Sequence, residues 1–170
     1  KLGIRVSHEI NDVLTLANET QNLLGVVVAF GELISIDVLS QVPMINVHFS
    51  LLPRWRGAAP VERAILSGDG KTGVCIMRVV EKLDEGEVFD RQEVIIDDSD
   101  DLDSLRKKLN EVAVKMLLRI VKLGFSIGTS QIGEVSYAKK IKTADLLIDW
   151  KGTSSQILRQ VRDRKSTRLN

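Results

Sequence analysis

The sequence has a single cysteine, Cys75, among 170 residues. Neither an intramolecular disulfide nor a cysteine-rich metal site can form, and a reducing compartment is the expected setting. Long apolar runs are missing too: the longest, such as residues 25–30, fall far short of the roughly 20 residues that a membrane-spanning helix requires. An excess of one charge is also absent, since 24 Lys and Arg stand against 23 Asp and Glu, a formal net charge of +1. No global field then draws the chain to nucleic acid or to a membrane, and either partner would have to be met by a local patch. No internal repeat and no low-complexity linker precedes the last segment. Core material, by contrast, is plentiful. A hydrophobic content of 44% over this length excludes a disordered tail or a disulfide mini-protein and suits one domain or slightly more.

Asn11 and Asp12 are good cap residues ahead of Val13, Leu14, Leu16 and Ala17, and predict a helix of about three turns toward Leu23. Gly25-Val26-Val27-Val28-Ala29-Phe30 is a short, unbroken, β-branched run, as in a strand covered on both faces of a mostly parallel sheet, and Gly31 ends it. A short helix over 34–39 and a strand over 44–48 follow. Strand, helix and strand in that order imply a crossover and an α/β sheet. Residues 49–57, with Pro53, two arginines and a tryptophan but no periodicity, read as a loop leaving the carboxyl end of the second strand. Open α/β sheets bind ligands there.

A helix is expected over 58–67, with Pro60 in its first turn, then strands over 73–80 and 87–96. The clearest element is a helix carried by Leu102, Leu105, Leu109, Val112, Ala113, Met116, Leu117 and Ile120 at helical spacing, stopped by Gly124. The acidic run Asp97-Asp98-Ser99-Asp100-Asp101 imitates a metal site, but negative charge at the N-terminus of that helix is the simpler reading. Residues 135–142 and 146–150 read as connecting strand or loop, and Thr153 or Ser154 caps a final helix through Val161.

Both ends are expected to be incomplete. Leu2-Gly3-Ile4-Arg5-Val6 reads as a helix end running into a strand with nothing before it. Residues 151–170 hold Lys151, Arg159, Arg162, Arg164, Lys165 and Arg168 against the single acid Asp163, leaving eighteen basic residues and twenty-two acids elsewhere. A basic tail is a solvated end or a nucleic-acid arm. From Asp163 onward, however, Asp163-Arg164-Lys165-Ser166-Thr167-Arg168-Leu169-Asn170 has no apolar period and resembles a translated adapter.

Among the motifs, Gly68-Asp69-Gly70-Lys71-Thr72-Gly73 matches the dinucleotide pattern G-x-G-x-x-G letter for letter. A helix precedes it and a strand follows, the reverse of what a phosphate at a helix N-terminus needs. Gly70-Lys71-Thr72 also imitates the end of a phosphate loop, with Ile65 where the first glycine belongs. Cys75, inside an apolar strand with no base beside it, reads as a buried structural thiol, and His8 as an exposed, inert residue. His48 differs, because strand alternation puts it on the same side of the sheet as Asn46, at the carboxyl end and facing one cleft. A neutral imidazole can take a proton from an attacking amine, and an amide N–H can stabilise an oxyanion. A third group is expected to orient the histidine, and Asp84, in the turn Leu83-Asp84-Glu85-Gly86, is best placed. From the residues alone, a satisfied structural histidine and an ordinary turn aspartate remain open alternatives. Arg54-Trp55-Arg56 offers two cations and a stacking surface to phosphate or a nucleic-acid end, or is simply a solvated loop.

The stretch Ile45-Asn46-Val47-His48-Phe49-Ser50-Leu51-Leu52-Pro53-Arg54-Trp55-Arg56-Gly57-Ala58-Ala59-Pro60 resembles the signature of the 10-formyltetrahydrofolate-dependent formyltransferases. The likeness continues through Thr72-Gly73-Val74-Cys75-Ile76-Met77 and Leu83-Asp84-Glu85-Gly86, with Val26-Val27-Val28-Ala29-Phe30-Gly31 upstream, and covers most of the chain. Asn-x-His with Ser-Leu-Leu-Pro is shared across those transferases. The narrower Arg-Trp-Arg-Gly-Ala-Ala-Pro is similar to the methionyl-tRNA formyltransferases among them.

The resemblance implies an α/β, Rossmann-like formyltransferase domain. It also implies transfer of a formyl group from 10-formyltetrahydrofolate, a co-substrate used without a metal, to the α-amino group of methionine on initiator Met-tRNA in translation initiation. Asn46, His48 and Asp84 match the catalytic trio: His48 would remove the amine proton, Asn46 would hold the oxyanion, and Asp84 would orient His48 and raise its basicity. Ser50, Leu51, Leu52 and Pro53 match the folate-binding stretch, Phe30 and Gly31 fall where the chain passes the pterin, and Arg54, Trp55 and Arg56 would lie on the tRNA side. Phe49 departs from the family's usual small residue and Glu85 from a common threonine. Alternatives are a glycinamide ribonucleotide formyltransferase, a formyl-folate hydrolase, or an inactive folate-binding remnant.

The implied layout is a catalytic domain over 1–125, short of its first strand and a tRNA-contacting loop, and a linker with the start of a missing basic C-terminal β-barrel over 126–162. Residues 163–170 would be a non-native tail. A monomer in the cytoplasm or an organellar matrix, with no membrane partner, is expected. The sheet edge left bare by the absent strand would make such a piece unstable or inactive.

Overall fold

The computed structural model describes residues 4–20, 23–124 and 127–164. In chain order the elements are α1 (Ile10–Glu19), β1 (Gly25–Val27), α2 (Ile36–Gln41), β2 (Met44–His48), β3 (Arg56–Gly57), α3 (Pro60–Ser67), β4 (Lys71–Arg78), β5 (Val88–Ile95), α4 (Leu102–Leu123), β6 (Tyr137–Ala138), a 3-10 turn at Thr143–Leu146 and α5 (Ser154–Arg164). Four strands form the central sheet in the order β1-β2-β4-β5.

The α/β class holds, but the sheet is mixed rather than mostly parallel. Within it only β1 and β2 run parallel, while β4 is antiparallel to both β2 and β5. For β4 and β5 chain length excludes a parallel pairing, because residues 79–87 cannot hold the crossover of a dozen or more residues that parallel neighbours need. Apolar strands read alike in either direction, so the hydrophobic pattern carries no sense of polarity. The expected strand over 25–30 stops at Val27 and is an edge with Val26 45% exposed, not a strand covered on both faces. Ile4-Arg5-Val6 forms no strand, and residues 1–3, 21–22 and 165–170 of the expected elements lie outside the described residues.

Strand alternation divides the two faces of β2. Ile45 and Val47 join Val74 and Ile76 of β4, Val61, Ala64 and Ile65 of α3, and the inward stripe of α4 in the main core. On the other side Met44 packs with Ile34, Val38 and Val42 beneath α1 and α2. Leu109, fully buried in the α4 stripe, tests this arrangement: Leu109→Ala is expected to cost about 2–5 kcal/mol in urea unfolding.

The acidic run before α4 caps it, as the sequence suggests. Asp101 accepts from Ser104 N at 2.9 Å while Ser104 Oγ accepts from Asp101 N at 3.0 Å, and Lys108 holds Asp97 and Asp100 at 2.6 and 2.7 Å. Gly68, at φ 75, closes α3, so the G-x-G-x-x-G letters serve a helix stop and a strand start. Helix α5 begins at Ser154, with Thr153 Oγ1 accepting from Gln156 N at 3.3 Å. It packs on α3 and α4. Arg159 donates to Ser67 O, and Arg162 donates to the carbonyls of Asp97 and Asp100. Asp163, read from sequence as the start of a foreign tail, is a buried residue inside this helix. Among the described residues no helix is long and apolar enough to cross a membrane.

Candidate active site

Asn46 and His48 lie on the face of β2 turned away from Ile45 and Val47, opposite Met77 and Cys75 of β4. Cys75 is fully buried and burial pushes its thiol up, in keeping with a structural role. From His48 the chain enters the 49–55 loop. Ser50, fully buried, donates from Oγ to Arg54 O at 2.6 Å, and Arg54 N donates to Leu51 O at 3.2 Å. The Leu52–Pro53 peptide is cis. Trp55 then takes φ 63, a left-handed conformation that costs a bulky residue about 1–2 kcal/mol. The turn aims its carbonyl at His48 Nε2, 2.8 Å away. Two hydrogen bonds hold Trp55 there: its N–H donates to Ser136 Oγ at 2.9 Å, and its indole Nε1 to Asp69 Oδ2 at 2.7 Å.

A carbonyl oxygen only accepts, so the hydrogen of His48 sits on Nε2 and the basic atom of the neutral ring is Nδ1. Nδ1 faces Asp84 Oδ2 at 3.6 Å, beyond hydrogen-bond range. Asp84 was expected to orient the ring. In the structure Trp55 does so, and Asp84 acts on Nδ1 through its charge. The carboxylate is itself held by two donors, Asn46 Nδ2 on Oδ1 at 3.3 Å and Gly57 N on Oδ2 at 2.8 Å. Burial pushes the His48 imidazole below its ordinary range, against the raising influences of Asp84 and the Trp55 carbonyl. The ring is therefore neutral at pH 7, and a proton that reaches Nδ1 meets a carboxylate already in place.

The other expected residues are placed unevenly. Leu52 and Pro53 are buried and Leu51 half-buried, so Ser50, Leu52 and Pro53 present little side chain to a ligand. Leu51 lies against Gly73, where any Cβ would come within 2.5 Å of it. Phe30 is half-buried among α1 and α2, and Gly31 is exposed, four residues past the end of β1. Arg54 is half exposed, paired with Asp69 at 2.6 Å and stacked 4.5 Å from the centroid of the Trp55 ring. A groove of about 280 Å³, lined by Leu51, Arg54, Trp55, Asp69 and Thr72 among others, opens beside this pair. Arg56 does not share that surface. It is buried, with Nε and Nη2 on Gln131 Oε1 at 3.1 and 2.8 Å and Nη1 on Glu85 at 3.1 Å. Glu85 thus stands opposite a buried guanidinium, and Phe49 packs into the main core. Sequence reasoning missed Ser136, Asp69 and Gln131, single polar residues with no periodic signal. Among the described residues, no group of three or more His, Cys, Asp or Glu is placed to hold a metal ion.

Comparison with known proteins agrees with this architecture. Residues 5–121 match the formyl transferase family. The methionyl-tRNA formyltransferases of Caulobacter sp. and Caulobacter vibrioides are each 46% identical over 81% of this chain. That of Sulfurihydrogenibium sp. is 39% identical over 82%. These alignments take in 46–47% of the relatives' lengths, so the chain spans about half the length of the curated relatives it matches. Among solved structures, HypX from Aquifex aeolicus in complex with tetrahydrofolic acid superposes with TM-score 0.77 at 19% identity, over 94% of this chain and 29% of that one. The N-formyltransferase from Helicobacter canadensis in complex with folinic acid and dTDP-3-aminofucose gives 0.71 at 22%, over 88% and 57%. Those likenesses establish the fold, and the sequence match establishes more: the chain belongs to the formyl transferase family.

Proposed function

We propose that the chain is the catalytic part of a methionyl-tRNA formyltransferase. It would move a formyl group from 10-formyltetrahydrofolate to the α-amino group of methionine on initiator Met-tRNA, as a monomer in the cytoplasm. The observation that carries this reading is the convergence of the Asn46 amide, the buried neutral His48 and the Asp84 carboxylate at one end of β2, in a chain 46% identical to relatives bearing that name.

In this reading the methionyl amine attacks the formyl carbon, a C–N bond forms, and the formyl oxygen becomes an oxyanion. One N–H of Asn46 goes to Asp84, and the other is the donor assigned to the oxyanion. His48 takes the ammonium proton at Nδ1, where Asp84 stabilises the imidazolium. Collapse of the tetrahedral intermediate breaks the bond to folate N10, which leaves with a proton returned through His48. Formylmethionyl-tRNA and tetrahydrofolate are the products. Folate is assigned to Phe30, Gly31 and the 50–53 loop, met chiefly by backbone and by Leu51. Of the three residues Arg54, Trp55 and Arg56, we keep Arg54 and Trp55 for the tRNA side and give Arg56 an internal role. Residues 127–138, which pair with β3 and β5, we assign to the catalytic unit, so that its boundary lies beyond residue 125.

The test is a chimaera in which residues 5–138 replace the corresponding stretch of the Caulobacter vibrioides relative. Formyl transfer to Met-tRNA, with one tetrahydrofolate released per formyl group, is the expected result. Transfer to glycinamide ribonucleotide or a dTDP-amino sugar alone, or folate binding without transfer, overturns the reading.

A further inference from the structure

The turn that carries Asp84 has little to hold it in place. Residues 79–87 belong to no strand or helix, Leu83 is 50% exposed, and Asp84 itself takes φ 52. Inside the turn the backbone makes one long hydrogen bond, Glu85 N to Lys82 O at 3.4 Å. Its two ends are tied by Val79 N–H donating to Met44 O and Glu87 O accepting from Arg78 N, both at 2.9 Å; between those ends the strong bonds to the backbone arrive from one side chain. Gln131 Nε2 donates to Asp84 O at 2.8 Å and to Gly86 O at 2.9 Å, holding the residue whose carboxylate faces His48 and the second residue after it. Gly86 sits so close to β4 that a Cβ on it would fall 1.9 Å from Arg78 O, so the turn is pressed against the sheet on one side and gripped by Gln131 on the other.

The orientation of that amide is decided by its other end. Gln131 Oε1 accepts from both Nε and Nη2 of Arg56, and a guanidinium only donates, so the oxygen must face Arg56 and the NH2 must face the two carbonyls. Arg56 is tied in turn to Glu85 at 3.1 Å, within the same turn. A carboxamide of glutamine length is the one side chain that donates twice and accepts twice across this gap. Glutamate would set an acceptor against two acceptors, and asparagine is one methylene short. Gln131 lies outside the 5–121 stretch that matches the formyl transferase family. Its own segment is anchored by Thr129, paired with Val88, and by β6, paired with β3.

We propose that Gln131 is a positioning residue of the active site, whose carboxamide fixes the turn that presents Asp84 to His48 and Gly57. The assignment rests on the catalytic role proposed for Asp84, but its first readout is independent of any substrate. Gly57 N–H donates to Asp84 Oδ2, whereas its neighbour Ala58 N–H donates to Ala138 O. The Gly57 amide proton therefore reports where Asp84 is, and the Ala58 amide reports whether β3 and β6 remain paired.

The experiment is amide NMR and hydrogen exchange on the 170-residue chain, with Gln131→Ala and Gln131→Glu. In both variants the Gly57 amide proton is expected to move upfield and to exchange at least about tenfold faster, a loss of the order of one hydrogen bond, while the Ala58 amide is unchanged. In the chimaera, kcat should fall about tenfold with the KM for 10-formyltetrahydrofolate within about twofold, as for an interaction realised only in the transition state. An unmoved Gly57 amide overturns the proposal, as does wild-type behaviour of Gln131→Glu, which would leave pairing with Arg56 as the whole role. Parallel loss of the Ala58 signal, or unfolding of both variants, makes Gln131 a folding residue and overturns it equally. A displaced Gly57 amide with unchanged kcat does the same.

Discussion

His48→Ala is expected to lower kcat in the chimaera by two or more orders of magnitude while the dissociation constant for tetrahydrofolate stays within about twofold. The asymmetry follows from where the ring sits. His48 is 5% exposed and its Nε2 hydrogen is engaged by Trp55 O, so only Nδ1 is available to take a proton. No other imidazole is at hand, since His8, the second of the two histidines, is an exposed residue ahead of α1. Alanine also removes the partner of the Trp55 carbonyl, and a buried acceptor left unsatisfied costs about 1–3 kcal/mol. His48→Gln separates the two effects, because its Nε2 can donate to Trp55 O while the side chain has no basic nitrogen. Steady-state formylation and folate titration should show the same loss of kcat for both variants, with the stability loss confined to His48→Ala. Folate binding that falls in step with kcat in both variants would make His48 a structural residue.

Much of this site was legible in the sequence, and the portions that were not share a cause. The period of Leu102, Leu105, Leu109, Ala113, Met116 and Ile120 marks α4 because a helix buries one stripe, and the observed core is that stripe. Asn46 and His48 could be put on one face because a strand repeats every two residues. Strand direction could not be read from the apolar run of β4, which is the same in both senses, and the 49–70 connection with α3 is long enough for either sense; only the short 79–87 connection excludes a parallel pair, that of β4 and β5. Nor could the atom that orients His48, a backbone carbonyl, leave any trace in residue types. Arg56 was read as a surface cation beside Arg54 because neighbours in a loop carry no period to separate inside from outside. Its burial depends on Gln131, 75 positions along the chain. Long-range polar pairs of this kind are decided by tertiary closure, and a lone glutamine in an aperiodic stretch gives no warning of them.

Asp84→Asn is expected to lower kcat about a hundredfold, at the lower end of what a positioned proton-transfer system contributes, and to move the titration of His48 further down. Two physical changes drive it. The negative charge 3.6 Å from Nδ1 disappears, so burial acts on the imidazole with one of its two opposing influences removed. In addition, asparagine must turn its NH2 toward either the Asn46 amide or Gly57 N–H, setting donor against donor where the carboxylate accepted from both. The acid limb of the pH–rate profile, which reports protonation of the base, should therefore shift to lower pH while the plateau falls, because a weaker base gains less from taking the proton. Stability moves in the matching sense. With the folded imidazole below its unfolded value of about 6.5, the unfolded chain binds more protons as pH drops through that value, and stability declines until the folded group titrates. In Asp84→Asn that decline should continue to lower pH than in the wild type. Long-range imidazole NMR resolves the question, since only two histidines contribute signals. A His48 midpoint that rises toward 6.5 would mean that water entering a loosened pocket outweighs the lost charge, and Asp84 would then be a packing residue rather than the electrostatic partner of the base.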